Sequence, residues 1–144
     1  MMTLSTAQQS LILAMFAMVL LTALVAVRML YMRVQEMKRE RIHPQAIDQS
    51  FIRSQTLKDA RASDNYNHLF EMPILFYALC LAALATGAVS TWLASAVWGY
   101  VALRVIHSWI QCTYNRVMHR FNVFVLSFVW LMVLWVSFIF TVLS

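Results

Sequence analysis

The sequence predicts an all-α membrane protein, a bundle of four transmembrane helices in a single domain that covers residues 1–144. The composition is 62% hydrophobic and 12% charged, which is too apolar for a soluble domain. Only two Gly and two Pro interrupt the chain, so long helices are favoured. No Lys, Arg, Asp or Glu occurs in residues 1–27, 72–103 or 121–144, which leaves long apolar stretches without charge.

The first transmembrane helix is predicted from about Leu11 to Met32. It has the ~20 residues that are needed to cross ~30 Å of hydrocarbon. It is longer than the apolar region of a signal peptide, which has about 7–15 residues, and no charged segment precedes it, so we expect it to be retained. Arg28 lies inside its last turns, where the side chain either snorkels to the lipid headgroups or binds a ligand.

The second helix is predicted from about Leu57 to Thr86, with a polar first half and an apolar second half. Its start is indicated by a Ser/Thr-x-x-Asp/Glu capping pattern at residues 56–59. Pro73 removes a backbone donor inside this helix, so a kink is expected there. Gly87 is predicted to end it.

The third helix is predicted from about Thr91 to Tyr114, and the fourth from about Phe121 to Leu143. A short uncharged turn precedes the third helix, and a basic connector, residues 116–120, precedes the fourth. Four spans place both chain termini on the same side of the membrane.

The distribution of basic residues predicts the orientation. Lys and Arg lie mainly in the connectors after helices one and three, so by the positive-inside rule both connectors face the cytoplasm. The termini and the turn at 87–90 are then outside, an arrangement that suits a bacterial inner membrane, with an organelle membrane as the alternative. Because the bases lie at the ends of apolar helices, the expected partners are membrane lipids and not nucleic acid.

Two stripes of polar side chains are predicted at the cytoplasmic end of the bundle. At 100° per residue, the polar residues of helix two fall on one side, namely Arg61, Asp64, Asn65, His68 and Glu71. Those of helix three form a second stripe, namely Arg104, His107, Ser108, Gln111 and Asn115, with Tyr114 at its flank. Polar groups at membrane depth are costly and often mark functional sites. The alternative is that the stripes only pair with each other, for example through an ion pair between Arg104 and Glu71.

Arginines beside carboxylates and amides suit a small zwitterionic or polyanionic ligand, because a guanidinium grips carboxylates and a carboxylate binds an ammonium. A permanent cation beside a thiol also lowers the thiol pKa and favours the thiolate nucleophile. A metal site is not predicted from His68, Glu71 and His107, because carboxylate metal bundles need Glu-x-x-His on two helices and further carboxylates. Cys80 and Cys112 have no CxxC spacing and are predicted to be buried, inert thiols.

The polar half of helix two resembles a known family signature. Arg61-Ala-x-x-Asn65, followed by Glu71-x-Pro73 and a Phe/Leu-rich membrane helix, is similar to the second helix of the MAPEG family. These are the membrane-associated proteins of eicosanoid and glutathione metabolism.

Helices three and four carry a second part of the resemblance. Arg104-x-x-His107 on helix three, and Arg120 at the opening of helix four, are similar to the family and follow in the expected order. The resemblance covers the chain from about Leu11 to its end.

The resemblance implies a left-handed four-helix bundle that assembles as a homotrimer, with glutathione as cofactor in sites between protomers near the cytoplasmic face. It implies that Arg120 stabilises the glutathione thiolate, which makes this arginine the predicted catalytic residue. The predicted glutathione-binding residues come from the end of helix one and from the two stripes, and they are Arg33, Arg61, Asn65, His68, Glu71, Arg104, His107 and Tyr114.

The chain departs from the family pattern at three positions. In many members the acid comes three residues after the Asn, but here that position is His68 and the acid follows at Glu71. Either Asn67 is the true equivalent of the family Asn, or the acid has moved by one turn. The Tyr that often follows the helix-three His by one turn is Gln111, and Phe124 stands where some family enzymes carry a Tyr near the thiol.

The leading hypothesis is a glutathione-dependent transferase or peroxidase of the membrane, similar to the microsomal glutathione transferases, that acts on small hydrophobic electrophiles or lipid hydroperoxides in a detoxification role. The alternative is a non-catalytic scaffold that binds glutathione or lipid, which Phe124 in place of a Tyr favours. A multidrug or ion transporter is disfavoured, because helix one has no mid-membrane carboxylate that could couple protons.

Overall fold

Four helices make up the part of the chain that the computed structural model describes, residues 4–39, 72–113 and 116–144. Helix α1 is Thr6–Arg39, α2 is Pro73–Thr86, α3 is Thr91–Cys112 and α4 is Val117–Leu143. Three of them, α1, α3 and α4, are long and apolar enough to cross a membrane, and α2 is a shorter apolar helix in its described part. The predicted all-α architecture is confirmed. The predicted start of helix two lies outside the described residues.

Helix α1 extends beyond both ends of the predicted span of 11–32. At its start, Ser5 and Gln8 form a reciprocal capping box. The Gln8 backbone N–H donates to Ser5 Oγ at 3.3 Å, and the Ser5 backbone N–H donates to Gln8 Oε1 at 2.9 Å. At its end, the last turn carries Lys38 and Arg39, and cations stabilise the negative end of a helix. The apolar residues show only which part of α1 can lie in the hydrocarbon core of the membrane. The helix itself is longer, so the predicted span was too short.

The ends of the other helices follow local capping chemistry. Gly87 ends α2 with φ +71°, a left-handed conformation that favours glycine, which confirms the predicted end of helix two. Ser90 caps α3, because its Oγ accepts the Leu93 backbone N–H at 3.1 Å. Helix α3 ends at Cys112, slightly before the predicted Tyr114. Helix α4 begins at Val117 and not at Phe121, because its first turn is already hydrogen-bonded from Arg120 N to Arg116 O at 3.0 Å.

Hydrogen bonds between helices fix how α3 packs. Ser10 of α1 donates to the Ala94 carbonyl at 2.9 Å and accepts from Trp98 Nε1 at 3.0 Å. On the other side of α3, Trp130 Nε1 of α4 donates to the Ala96 carbonyl at 2.9 Å. Helix α3 therefore lies between α1 and α4, and it makes its most extensive contacts with α4. Trp130 is therefore a packing residue between α3 and α4.

The inner face of α3 changes character along its length. Its first half buries apolar and aromatic side chains against the core, among them Leu93, Val97 and Tyr100. Its second half buries Arg104 and Gln111, which are 0% exposed. The core is thus apolar at the end of the bundle near the 87–90 turn. It is polar at the opposite end, which we call the connector end because the segment from α3 to α4 lies there.

Gly99 makes room for the indole of Trp130, and Gly99→Ala is expected to destabilise the bundle. An added Cβ would stand 2.9 Å from Trp130 Nε1 and 3.2 Å from Cε2. Overpacking of this kind costs about 1–3 kcal/mol, which would be measured as a lower melting temperature in detergent. The double variant Gly99→Ala/Trp130→Phe should recover part of that loss. A melting temperature of the single variant equal to that of the parent would contradict this account of α3–α4 packing.

Candidate functional site

The connector end of α3 presents a buried polar face. Arg104, His107, Ser108 and Gln111 are all at most 4% exposed. Their spacing of three, one and three residues returns to the same side of a helix after two turns. Since one helix carries all four, their relative positions are fixed by the backbone of α3. The prediction that Arg104 and His107 share one stripe is confirmed.

The polar face continues one turn deeper to Tyr100, which is 1% exposed. The ring of Tyr100 stacks on Phe76 of α2 with a centroid distance of 4.9 Å and an interplanar angle of 16°. Tyr100 and Arg104 interact electrostatically, and no hydrogen-bond partner of the Tyr100 hydroxyl lies within the described residues. The aromatic stack fixes the ring, so the hydroxyl is held at the inner edge of the polar face.

Gln111 forms the outer end of this face. Its side chain is 0% exposed, and neither Nε2 nor Oε1 has a hydrogen-bond partner in the part of the chain that the structure describes. A buried carboxamide is costly unless its donor and acceptor are used. Gln111 therefore has the capacity to pair with an amide or a carboxylate of a bound molecule.

One side of α4 packs against this face through Phe124. The Phe124 ring lies 6.2 Å from the His107 ring, centroid to centroid, at an interplanar angle of 53°. Arg120 is four residues before Phe124, so both project from the same side of α4. Arg120 is half-buried in the first turn of α4. The structure thus brings the Arg120 side of α4 against the polar end of α3.

Arg28 of α1 contributes a contact that neither interpretation of the sequence anticipated. Its Nη2 donates to the Cys112 carbonyl at 2.6 Å, at the last residue of α3. The side chain is exposed. It is hydrogen-bonded to the end of a neighbouring helix, which differs both from simple snorkelling and from binding a ligand.

Five of the predicted ligand-binding residues lie outside the described residues, namely Arg61, Asn65, His68, Glu71 and Tyr114. Arg33 lies on α1, but its side chain is also outside the description. The kink at Pro73, the choice between Asn65 and Asn67 and the ion pair between Arg104 and Glu71 therefore stay predictions. Among the residues of the described ranges, no group of three His, Cys, Asp or Glu side chains could hold a metal ion.

The two cysteines differ. Cys80 is 0% exposed in the apolar core, as predicted, whereas Cys112 is only half-buried. Neither forms a disulfide within the described residues.

Two residues of the site have a larger part than the sequence pattern predicts. Tyr100 has no predicted binding role, although its position one turn before Arg104 extends the same stripe. Gln111 lies on the predicted stripe, at a position where the family often has a Tyr. Its burial, which the sequence could not show, makes it a candidate binding residue in its own right.

Comparison with known proteins agrees with the architecture. The sequence model of the MAPEG family matches residues 11–140, which is most of the chain. No curated protein and no solved structure matches the chain. Three apolar helices of membrane-spanning length and the family match together point to an integral membrane protein. The chain belongs to the MAPEG family of membrane proteins, which are known in general for glutathione and eicosanoid metabolism.

Proposed function

We propose that this protein is a membrane enzyme that activates the thiol of glutathione and transfers it to a hydrophobic electrophile, or uses it to reduce a lipid hydroperoxide. The observation that carries the proposal is the fully buried Arg104 on the same helix face as His107 and Gln111. A buried guanidinium favours an anionic partner, and the tripeptide offers carboxylates as well as amides.

Each described residue has a suitable role. Arg104 binds a carboxylate through its guanidinium fork, and Gln111 pairs with a peptide amide through its own donor and acceptor. His107 donates or accepts one further hydrogen bond between them. These roles follow the order of the residues along α3, so the tripeptide lies along the helix at the connector end.

Arg120 is the proposed catalytic residue. Its permanent positive charge stabilises the thiolate, because an opposite charge favours the ionised form of a nearby acid. The thiol proton leaves to solvent, and the sulfur lone pair then attacks an electrophilic carbon and displaces its leaving group. With a hydroperoxide, the thiolate sulfur attacks the terminal oxygen, the O–O bond breaks, and the products are glutathione sulfenic acid and an alkoxide that takes up a proton. A second glutathione then attacks the sulfenic acid, which gives glutathione disulfide and water.

The substrate side of the proposal rests on the apolar outer surface. Large apolar side chains are exposed along α1 and α4, such as Leu24, Val27 and Phe121. A surface of this kind faces hydrocarbon in a membrane, so hydrophobic electrophiles dissolved in the bilayer can reach the helices directly. Phe124 adds an apolar ring beside His107.

The complete site includes groups outside the description. We propose that Arg61, Asn65, His68, Glu71 and Tyr114 surround the ligand, and that Arg33 comes from the adjacent protomer of a homotrimer. The connector end faces the cytoplasm of a bacterial inner membrane in this proposal, which places the site in contact with cytoplasmic glutathione. The grouping of Lys38 and Arg39 at this end supports the orientation.

Turnover of the purified protein tests the proposal. With glutathione and a dinitrohalobenzene, or with glutathione and a lipid hydroperoxide, we expect saturable product formation above the uncatalysed rate. Boiled protein is the control. Saturable glutathione binding without turnover of either substrate class would contradict the proposal that the protein is an enzyme.

One observation favours a second candidate, a non-catalytic scaffold that binds glutathione or lipid. Phe124 has no hydroxyl, so the ring beside His107 cannot donate a hydrogen bond to a thiolate as a tyrosine would. The turnover measurement separates the two candidates, because the scaffold predicts binding without product.

A further inference from the structure

The side chain of Arg28 caps the C-terminal end of α3 by a hydrogen bond to the Cys112 carbonyl. The guanidinium Nη2 lies 2.6 Å from the Cys112 carbonyl oxygen, and Cys112 is the last residue of α3. The final carbonyls of a helix have no partner within it, and together they form the negative end of the helix dipole. The guanidinium of Arg28 donates the hydrogen bond that the carbonyl lacks, and its positive charge offsets the negative end of the dipole. Hydrogen bonds from a charged donor are short and strong.

A second contact between the same helices lies at the opposite end. Ser10 Oγ donates to the Ala94 carbonyl at 2.9 Å. The sequence separation is 84 in this pair and also 84 in the pair of Arg28 and Cys112. The offset between paired residues is thus the same at both contacts, so α1 and α3 run parallel to each other. Helix α1 is hydrogen-bonded to α3 near both ends of α3.

The end that Arg28 holds is the one that carries the candidate site. Gln111 directly precedes Cys112, and His107 lies just over one turn earlier. The segment after Cys112 leads within a few residues to the first turn of α4 and Arg120. A shift of the α3 end would therefore move the residues proposed to bind the tripeptide and the residue proposed to activate its thiol.

We propose that Arg28 is a positioning residue for the glutathione site: by holding the Cys112 carbonyl it fixes the end of α3 and the start of the connector to α4. It does so from α1 without touching the ligand. This inference rests on the proposed function, since it concerns how the same site is held in place.

The test compares Arg28→Met with Ser10→Ala, a matched variant that removes the contact at the other end of the same helix pair. Glutathione affinity would be measured by titration calorimetry on the detergent-purified full chain, with kcat and KM from turnover. Arg28→Met should weaken glutathione binding roughly tenfold, whereas Ser10→Ala should leave the affinity within about twofold of the parent. Arg28→Lys, which keeps a cationic donor on a shorter reach, should recover part of the affinity.

Two results would overturn the inference. Parental glutathione affinity in Arg28→Met would show that the contact positions nothing. An equal loss in Ser10→Ala and Arg28→Met would show only a general loosening of α1 against α3.

A second readout is independent of the ligand and covers the case in which the parent protein does not bind glutathione. A membrane-permeant maleimide would be used to follow the labelling rates of the two native cysteines by mass spectrometry. Arg28→Met should speed the labelling of Cys112, which is half-buried at the contact, and leave that of Cys80, which is 0% exposed, unchanged. Equal labelling rates of Cys112 in Arg28→Met and in the parent would contradict the inference. Absence of glutathione binding in the parent would contradict the proposed function. The labelling rate of Cys112 would then show by itself whether Arg28 fixes the end of α3.

Discussion

Replacement of Arg104 by methionine is expected to weaken glutathione binding by roughly 30-fold or more. Arg104 is 0% exposed and lies in the middle of the buried polar face of α3. In the proposed complex its guanidinium binds a ligand carboxylate, and loss of one partner of a buried charge pair leaves the other charge unpaired. Titration calorimetry of the variant and of the parent would measure the loss.

Two further variants make the Arg104 result specific. Val105→Met places the same new side chain at a neighbouring position that is 46% exposed, so it should bind glutathione like the parent. Arg104→Lys keeps the charge but loses the planar fork, so its affinity should lie between those of the parent and Arg104→Met.

The melting temperature of the ligand-free protein distinguishes a ligand-binding role of Arg104 from a structural role. Arg104 already interacts with Tyr100 in the ligand-free protein, so the Arg104→Met variant is expected to melt below the parent and also to bind glutathione more weakly. A large fall in melting temperature together with unchanged affinity would identify Arg104 as a structural residue and contradict the proposal.

Replacement of Arg120 by alanine is expected to abolish most thiolate formation while glutathione still binds. Two unit charges about 4 Å apart interact by about 4 kcal/mol at an effective dielectric constant of ~20, which is enough to lower a thiol pKa by more than a unit. Without the arginine, the pKa of the bound thiol should rise back toward the ordinary value of about 8.5. The thiolate fraction at pH 7 should therefore fall about tenfold or more, which ultraviolet absorbance of the thiolate would report.

Arg116 provides the matched control for this measurement. It precedes α4 by one residue, is exposed, and lies one turn before Arg120 at the same end of the bundle. Arg116→Ala removes the same charge from the protein, yet it should leave the thiolate signal within about twofold of the parent, because exposed charges are screened. An equal loss in both variants would mean that the general positive potential of this end, and not Arg120, ionises the thiol.

The helical architecture was predictable because it depends on patterns that the sequence displays directly. Long uninterrupted apolar stretches indicate membrane helices. A glycine at the end of such a stretch, here Gly87, indicates the end of the helix, because glycine readily adopts the left-handed conformation that often ends helices. The helix ends were less accurate for a physical reason. The end of hydrocarbon is not the end of a helix, and in α1 the capping box at Ser5 and the cations at the last turn extend the helix beyond the apolar segment.

The candidate site was predictable in part. The periodicity of α3 places Arg104, His107 and Gln111 on one side, and the structure buries that side. The approach of Phe124 to His107, and with it the side of α4 that carries Arg120, depends on how two helices pack, which a one-dimensional pattern does not contain. The same holds for Arg28, since its partner is a backbone carbonyl 84 residues away in the sequence.

The measurement that tests the central claim most directly is a glutathione titration of the detergent-purified protein at pH 7, followed by thiolate absorbance in the ultraviolet. Our account predicts a saturable rise in absorbance as glutathione is added, and loss of most of that rise in Arg120→Ala. Saturable binding without any thiolate signal would contradict the proposed chemistry and favour the scaffold. Absence of binding at every workable glutathione concentration would contradict the glutathione site itself.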